Sequence, residues 1–248
     1  MFPIRDHNPA ERTPFVTYAL IAVNILVYLA MLPTYGDEQA LYGVFYRWGL
    51  VPDWIMHGEQ YQTLLTHMFL HGGFMHLAGN MLFLWIFGDN LEDELGHVGF
   101  LLFYLASGLG AAALQIYFGP DSQAPMVGAS GAIAGIMGGY LLLFPKARVD
   151  VLFIFIVFFK IFPVPAWLML IVWFGLQLFN GVASIAGGSE VAYWAHAGGF
   201  IVGLVWVLPF WLRQGGPDFW ARTRGHPPHP EAKYRLSESP IPRVRRRR

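Results

Sequence analysis

Apolar residues occur along this chain in long runs, and polar residues fall mostly in the short segments between those runs. Each run is bounded by proline, glycine or charged residues, which is the pattern of successive membrane-spanning helices. The first run is too long for the hydrophobic region of a signal peptide and lacks a small-residue cleavage site after it, so we expect a retained helix. We predict six spans, near Phe15–Leu32, Gly73–Leu91, Val98–Phe118, Ser130–Phe144, Ala166–Ala183 and Tyr193–Leu212.

The predicted fold class is an all-α polytopic membrane protein with three regions along the chain. Residues 1–14 form a cytoplasmic N-terminal segment, residues 15–212 a six-helix membrane domain, and residues 213–248 a basic, proline-rich, disordered cytoplasmic tail. One apolar, β-branched run, Val151–Phe159, is not counted as a span, because Lys160 and two prolines separate it from the fifth span. We expect this run to be either extended or interfacial, and the sequence leaves both possibilities open.

Composition supports a membrane protein and excludes several kinds of site. Hydrophobic residues make up 55% of the 248 residues and charged residues 13%, whereas a soluble domain carries about 25% charged residues. The chain contains no cysteine. Disulfides, thiolate metal sites and a cysteine nucleophile are therefore excluded.

The distribution of basic residues predicts the orientation in the membrane. With a cytoplasmic N-terminus, only Arg47 among the basic residues lies outside, in agreement with the positive-inside rule. We expect an integral multi-pass membrane protein with both termini in the cytoplasm. The tail ends in Arg245–Arg248, which predicts either a solvated tail or attachment to anionic lipid headgroups. The expected partners include membrane lipid and no nucleic acid.

Ser130 begins the fourth span, within Gly128-Ala129-Ser130-Gly131. About fifteen helical residues rise about 22 Å, less than the roughly 30 Å of hydrocarbon, so a helix that ends near Pro145 at the inner face begins below the outer surface. The preceding loop then lies at membrane depth, where irregular backbone requires burial in protein or a water-filled cavity. Unpaired N–H groups at a helix N-terminus suit a developing oxyanion. By itself, however, such a serine is more often a helix cap than a nucleophile.

His196, in the first turn of the sixth span, is the candidate general base. Because spans alternate in direction, the second, fourth and sixth all enter from the outer face, and His196 lies at the same end of the membrane as Ser130. Both helices carry glycines at four-residue spacing, which permits close approach in lipid. These glycines are Gly131, Gly135 and Gly139 in the fourth span and Gly199 and Gly203 in the sixth. A buried structural histidine is the alternative, and it becomes less favoured once Ser130 is considered together with His196.

His76 and Asn80 lie one turn apart near the outer end of the second span. Both carry N–H donors that can stabilise a tetrahedral oxyanion. The alternative is hydrogen bonding between helices, a common role of these residue types in membranes. Glu92 follows on the same stripe, about four turns from His76. We predict that Glu92 has a structural role, as a hydrogen-bond partner of a neighbouring helix.

Together these residues resemble the rhomboid intramembrane serine proteases, over roughly residues 15–212. The motifs that carry the resemblance are Gly128-x-Ser130-Gly131, Ala195-His196-x-x-Gly199-x-x-x-Gly203, His76-x-x-x-Asn80 and Gly88-x-x-x-Glu92-x-x-x-Gly96. The resemblance implies a six-helix rhomboid-like bundle of the prokaryotic type with a short, recessed fourth helix. It also implies a prokaryotic inner membrane, with the active site toward the outer leaflet.

The resemblance further implies catalysis by a serine–histidine dyad without a third, acidic member. Ser130 would be the nucleophile and His196 the base, with an oxyanion site formed by His76, Asn80 and the Ser130 backbone N–H. No cofactor and no metal ion are expected. The expected substrates are single-pass membrane proteins, cut in or near their transmembrane segment after lateral access past the fifth span.

The sequence departs from the family pattern at two places. Ala134 stands where family members often have an aromatic residue against the histidine ring, so another group must orient His196. The family's first loop often carries a Trp-Arg pair, whereas here the order is Arg47-Trp48, for which an interfacial anchor is the simplest interpretation.

Three other functions stay open at this point. A catalytically inactive rhomboid-like chaperone or adaptor would keep the fold but typically lose the serine or the histidine. A metal-dependent hydrolase could use His67 and His71, although Met68 stands where the H-E-x-x-H motif has its glutamate. A transporter would leave the coincidence of Ser130 and His196 unexplained.

Overall fold

The computed structural model describes residues 2–155, 158–187, 192–226 and 232, and it is mostly helical. Its elements, in chain order, are β1 (Phe2–Asp6), α1 (Phe15–Met31), α2 (Glu38–Trp48), α3 (Pro52–Met56), α4 (Thr63–Thr66), α5 (Phe74–Phe118), α6 (Ser130–Leu143), β2 (Arg148–Phe155), β3 (Phe158–Pro165), α7 (Ala166–Gly187), α8 (Tyr193–Arg213) and α9 (Pro217–Thr223), with 3₁₀ turns at Leu32–Thr34 and His67–Phe69.

Four helices in the described ranges are long and apolar enough to cross a membrane. They are Phe15–Thr34, Phe74–Phe118, Ala166–Ala183 and Tyr193–Arg213. α6 is apolar but has only 14 residues, which agrees with the short fourth span predicted from the sequence. The architecture is therefore an all-α polytopic bundle, to which a small sheet is added.

α5 contains both the second and the third predicted spans. It has 45 residues, and their summed helical rise of about 68 Å at 1.5 Å per residue is more than twice the hydrocarbon thickness. The helix is interrupted at Gly96, whose φ of 69° lies in the left-handed region that favours glycine. The two spans are thus two arms that meet at this glycine, with hardly any loop between them.

α6 lies at the centre of the bundle, and every residue from Gly131 to Tyr140 is buried. α8 approaches it closely, because a Cβ atom at Gly199 or Gly203 would overlap the carbonyl oxygen of Gly131 or Gly135, respectively. The close approach predicted from the glycine spacing is confirmed. It brings the first turns of α6 and α8 side by side.

A three-stranded antiparallel sheet in the order β1-β2-β3 lies at the end of α6 opposite Ser130. The hairpin of β2 and β3 includes the run Val151–Phe159, so the extended alternative is the one observed for its described residues. Asp150 joins the hairpin to the N-terminal segment, since its carboxylate lies 2.8 Å from both Arg5 Nε and His7 Nε2.

Part of the segment predicted to be a disordered tail is helical, and the prediction is wrong for α9. Phe219 is buried, and Trp220 Nε1 donates a hydrogen bond of 2.9 Å to the carbonyl of Leu142 at the end of α6. These two aromatic residues bury apolar surface, which the basic, proline-rich average composition of the tail did not indicate. The remainder of the tail, apart from residue 232, lies outside the described residues.

Candidate active site

Ser130 is the first residue of α6, but it does not cap the helix. Ala129 occupies the N-cap position, and no side chain caps this end. The Ser130 hydroxyl is instead 2.8 Å from His196 Nε2. The helix-cap interpretation of Ser130 is therefore wrong, and its hydroxyl is paired with a group that can accept its proton.

Residues of α7 contact the His196 imidazole on the side away from Ser130. Gln177 Oε1 lies 2.8 Å from His196 Nδ1, and the Trp173 ring centroid lies 5.8 Å from that of the imidazole at an interplanar angle of 39°. Ala134 is fully buried and supplies no ring. The orienting group that the sequence left unnamed thus comes from the fifth span.

Sequence reasoning missed Gln177 and Trp173, although one signal was present. Gln177 and Asn180 are amides within a span that is apolar over most of its length, and polar residues in spans are functional candidates by default. Gln177 lies one helical turn after Trp173, so the two side chains share a face of α7.

His76 is positioned as a hydrogen-bond donor toward the serine. The Gly72 N–H donates to His76 Nδ1 at 3.3 Å, which leaves the proton of the neutral ring on Nε2. A Cβ placed on Gly128 would lie 2.8 Å from His76 Nε2 and 3.5 Å from Ser130 Oγ. Glycine therefore keeps open the space between the donor and the nucleophile.

Asn80 adds a second free donor on the same stripe of α5. Its side chain is buried, and its Nδ2 has no hydrogen-bond partner among the described residues. A buried amide without a partner costs about 1–3 kcal/mol, so a donor left free in this way is expected where a ligand will accept its hydrogen bond.

The loop before Ser130 is held by backbone hydrogen bonds to other loops. Leu50 and Met126 exchange two of them, at 3.0 and 2.7 Å, and the Gly128 N–H donates to the His67 carbonyl at 2.9 Å. Gly128 has a φ of +130°, which is accessible mainly to glycine. These contacts satisfy backbone groups of the irregular segment, and its last two residues, Gly128 and Ala129, are buried in protein.

His67 supports this loop in the neutral form. Its ring is buried and its Nδ1 lies 2.8 Å from the Thr63 carbonyl. Burial lowers the pKa of His67 to about 4, so the ring is uncharged at neutral pH. Its position therefore indicates a structural role in holding Gly128.

Ser130 and His196 face a cavity of about 790 Å³ that is also lined by His76, Asn80 and Trp173. Such a volume is typical of sites that receive a small molecule or a short peptide segment. The candidate nucleophile, the candidate base and the two candidate oxyanion donors converge on one space.

Comparison with known proteins identifies the family. The Rhomboid domain family matches residues 58–213, a range that includes Ser130, His196, His76 and Asn80. The chain belongs to the rhomboid family. Members of this family include intramembrane serine proteases, and the protein is an integral membrane protein.

Several rhomboid relatives align over a large part of the chain. Rhomboid protein 1, mitochondrial, of Saccharomyces cerevisiae is 28% identical over 209 residues, which cover 79% of this chain and 56% of the relative. Rhomboid protease GlpG of Salmonella choleraesuis is 27% identical over 198 residues (78% and 62%). Rhomboid protease GluP of Bacillus subtilis is 34% identical over 128 residues (52% and 24%). The chain spans less than two thirds of the length of each of these relatives. Because bacterial and mitochondrial rhomboids are similarly related, the prokaryotic inner membrane and the orientation of the termini stay predictions.

Glu92, in the rhomboid motif of α5, makes the contact with a neighbouring helix that its position predicted. Its carboxylate accepts hydrogen bonds of 2.8 Å from the Val16 N–H, the Thr17 N–H and the Thr17 hydroxyl at the start of α1. His97 Nδ1 lies 2.5 Å from the same carboxylate. Glu92 thus satisfies unpaired donors of α1 and lies at the far end of the arm from Asn80.

The histidines proposed for a zinc site do not come together with further ligands. Across the described parts of this rhomboid chain, no group of three or more histidine, aspartate or glutamate side chains is placed to hold a metal ion. His71 is fully buried, with its ring 5.1 Å from that of His76 in an edge-to-face contact. The metal-dependent alternative therefore lacks a ligand set in this part of the chain.

Proposed function

We propose that this rhomboid protein is an intramembrane serine endopeptidase that cuts single-pass membrane proteins in or near their transmembrane segment. The observation that carries the proposal is the 2.8 Å hydrogen bond between Ser130 Oγ and His196 Nε2, at the wall of a cavity within the helical bundle. A nucleophile within hydrogen-bond reach of a base, with the base held by a third group, is the usual arrangement for covalent catalysis.

In the acylation step, Ser130 Oγ attacks the scissile carbonyl carbon while its proton passes to His196 Nε2. The negative charge that develops on the carbonyl oxygen is stabilised by the Ser130 N–H at the start of α6, by His76 Nε2–H and by the free amide of Asn80. When the C–N bond breaks, His196 gives the proton to the leaving amine. Water then enters the cavity and attacks the acyl carbon while it loses a proton to His196. The bond between Ser130 Oγ and the acyl carbon breaks, His196 returns the proton to Ser130 Oγ, and the carboxylic acid product leaves.

The proposed substrate class follows from where the cavity lies. α7 contributes Trp173 to the lining, and most of its other side chains are exposed along the helix. In a bilayer those exposed apolar residues face lipid. A transmembrane segment that moves laterally past α7 would reach Ser130 without crossing the bulk of the bundle.

The test is cleavage of single-pass reporter proteins reconstituted in liposomes with the wild type, Ser130→Ala and His196→Ala. We expect product from the wild type and none above background from either variant. Ser107→Ala is the matched control, because Ser107 is a buried serine of α5 with no hydrogen-bond partner among the described residues. Cleavage that persists in Ser130→Ala would contradict the proposal.

Labelling with a fluorescent serine-reactive phosphonate separates a protease from an inactive adaptor. The wild type and Ser107→Ala should become labelled, and Ser130→Ala should not. A wild-type protein that folds but is not labelled would favour the adaptor.

A further inference from the structure

We infer that Gln177 is the positioning residue of the proposed dyad: it sets the tautomer and the ring orientation of His196 from the fifth span. The inference rests on the proposed function and adds a third member, a neutral amide, to the Ser130–His196 pair. No acidic residue is required at this position.

The hydrogen-bond chemistry determines the tautomer. Gln177 Oε1 is only an acceptor, and it lies 2.8 Å from His196 Nδ1, so Nδ1 must carry the proton of the neutral ring. His196 Nε2 then has a lone pair directed at Ser130 Oγ, 2.8 Å away. This is the only neutral tautomer in which His196 can accept the serine proton.

The packing of α7 fixes the position of the amide. Leu170, Trp173, Phe174 and Gln177 follow the spacing of one helical face and are buried or half-buried, whereas Ile171, Val172, Leu176 and Phe179 are exposed. Phe174 stacks on Phe200 of α8 with ring centroids 4.4 Å apart. That stack lies next to the dyad and holds the face that presents Gln177 against α8.

Trp173 restricts the ring from a second direction. Its centroid is 5.8 Å from that of His196, and Ala134 leaves α6 without an aromatic ring for this purpose. The two residues of α7 therefore fix both the rotation and the tilt of the imidazole.

A neutral partner also suits the depth of the site. A carboxylate buried beside a neutral histidine would carry a large desolvation cost in the resting enzyme, whereas an amide does not. The carboxylate would, however, stabilise the imidazolium that forms during attack. Loss of the acceptor and replacement of the amide by a carboxylate are therefore expected to change the activity in different ways.

The experiment uses the full chain in liposomes with Gln177→Met, Gln177→Glu and the control Asn180→Ala. Methionine keeps the unbranched shape but removes the acceptor, and glutamate keeps an acceptor and adds charge. Asn180 is a second amide on α7 that is not among the hydrogen-bond partners of His196 in the described chain. The readouts are the rate of phosphonate labelling of Ser130 as a function of pH, and kcat and KM for a reporter that the wild type cleaves.

We expect Gln177→Met to lower the labelling rate and kcat by up to about 100-fold with KM unchanged, because the residue acts on His196 and not on the substrate. Gln177→Glu should recover most of the activity at alkaline pH. The acid limb of its pH–rate profile should move to higher pH, because the carboxylate stabilises the imidazolium form of His196. Asn180→Ala should stay within about twofold of the wild type.

Two outcomes would overturn the inference while leaving the proposed function intact. One is a Gln177→Met protein that reacts at the wild-type rate; the other is a Gln177→Glu pH profile that superimposes on the wild-type profile. If Gln177→Met does not fold, the Gln177→Glu profile decides alone. A wild type that is neither labelled at Ser130 nor able to cleave would instead contradict the proposed function.

Discussion

At the residue scale, Asn80 is where the catalytic and the structural interpretations of the second span separate. A structural asparagine would use its amide to hold a neighbouring helix, whereas the Asn80 Nδ2 has no partner among the described residues and faces the cavity. A donor of this kind is available to a developing oxyanion, which is the role proposed for Asn80.

Replacement of Asn80 by alanine should therefore lower kcat by about 100-fold to 1,000-fold, the cost of one lost oxyanion donor. Thermal unfolding should change little, because Asn80 Nδ2 has no hydrogen-bond partner in the described part of the chain. Reporter cleavage and thermal unfolding in detergent measure the two effects, with Asn180→Ala as the comparison. A large fall in the unfolding temperature with unchanged kcat would support the structural interpretation instead.

At the element scale, two devices place the helices: the glycine contact between α6 and α8, and the Glu92 cap on α1. The glycine contact sets the distance between the helices that carry Ser130 and His196. The cap sets the start of α1 against the arm of α5 that precedes Gly96. Each can be tested with another residue of the same type as the control.

Gly203→Ala should destabilise the fold and reduce labelling of Ser130, because the new methyl group would overlap the backbone of Gly135. Overpacking of this kind typically costs about 1–3 kcal/mol, and here backbone rather than a flexible side chain must shift. Gly175→Ala on α7 is the control, since a Cβ there meets nothing within 4 Å. Equal unfolding temperatures for the two variants would contradict the close contact.

Glu92→Gln should lower stability by about 1–3 kcal/mol, since three donors at the start of α1 lose a charged acceptor. Phosphonate labelling at low temperature should persist, because Glu92 lies far from Ser130 along α5. Glu94→Gln, at a half-buried acidic residue two positions along, serves as the control in thermal unfolding. An unchanged unfolding temperature for Glu92→Gln would argue against the cap.

At the scale of the whole molecule, the N-terminal strand is hydrogen-bonded to α6, the helix that begins at Ser130. Asp6 Oδ2 accepts hydrogen bonds of 3.0 Å from the Tyr140 hydroxyl of α6 and from Asn90 Nδ2 of α5. Burial, with a further contribution from Asp89, raises the pKa of Asp6 from 3.8 to about 8. A carboxyl group at the base of the bundle is thus held in its protonated form near neutral pH.

This junction predicts how stability depends on pH. In the unfolded chain, an aspartate has a pKa of about 3.9, so between about pH 4 and 8 the folded state binds a proton that the unfolded state releases. The contribution of Asp6 to stability is therefore complete at low pH and is lost as the pH rises toward 8. Asp6→Asn should remove this pH-dependent contribution. At pH 8 the free energy of unfolding of the variant should exceed that of the wild type by about 1–3 kcal/mol.

Thermal unfolding at pH 5, 6.5 and 8 measures the effect, and Asp218→Asn provides an exposed carboxylate as the control. Because other groups titrate in the same interval, the informative quantity is the difference between the wild type and Asp6→Asn at each pH. A difference that does not change with pH would contradict the prediction.

The sequence by itself determined the spans, the short fourth helix that recesses Ser130, and the common end at which Ser130, His196, His76 and Asn80 lie. Those conclusions depend on the length of apolar runs, on four-residue spacing and on alternation across the membrane. All three are local or topological properties that can be counted along the chain.

Only the tertiary structure decided which groups complete the site and its surroundings. Gln177 meets His196 across 19 positions of sequence, and Asp6 meets Tyr140 across 134; no local spacing specifies either pair. Two further contacts likewise depend on surfaces that exist only after the helices have packed. They are the pairing of β1 with β2 and the packing of α9 against the end of α6. Such contacts depend on which faces of distant elements meet, and that is set by the packing of the whole bundle.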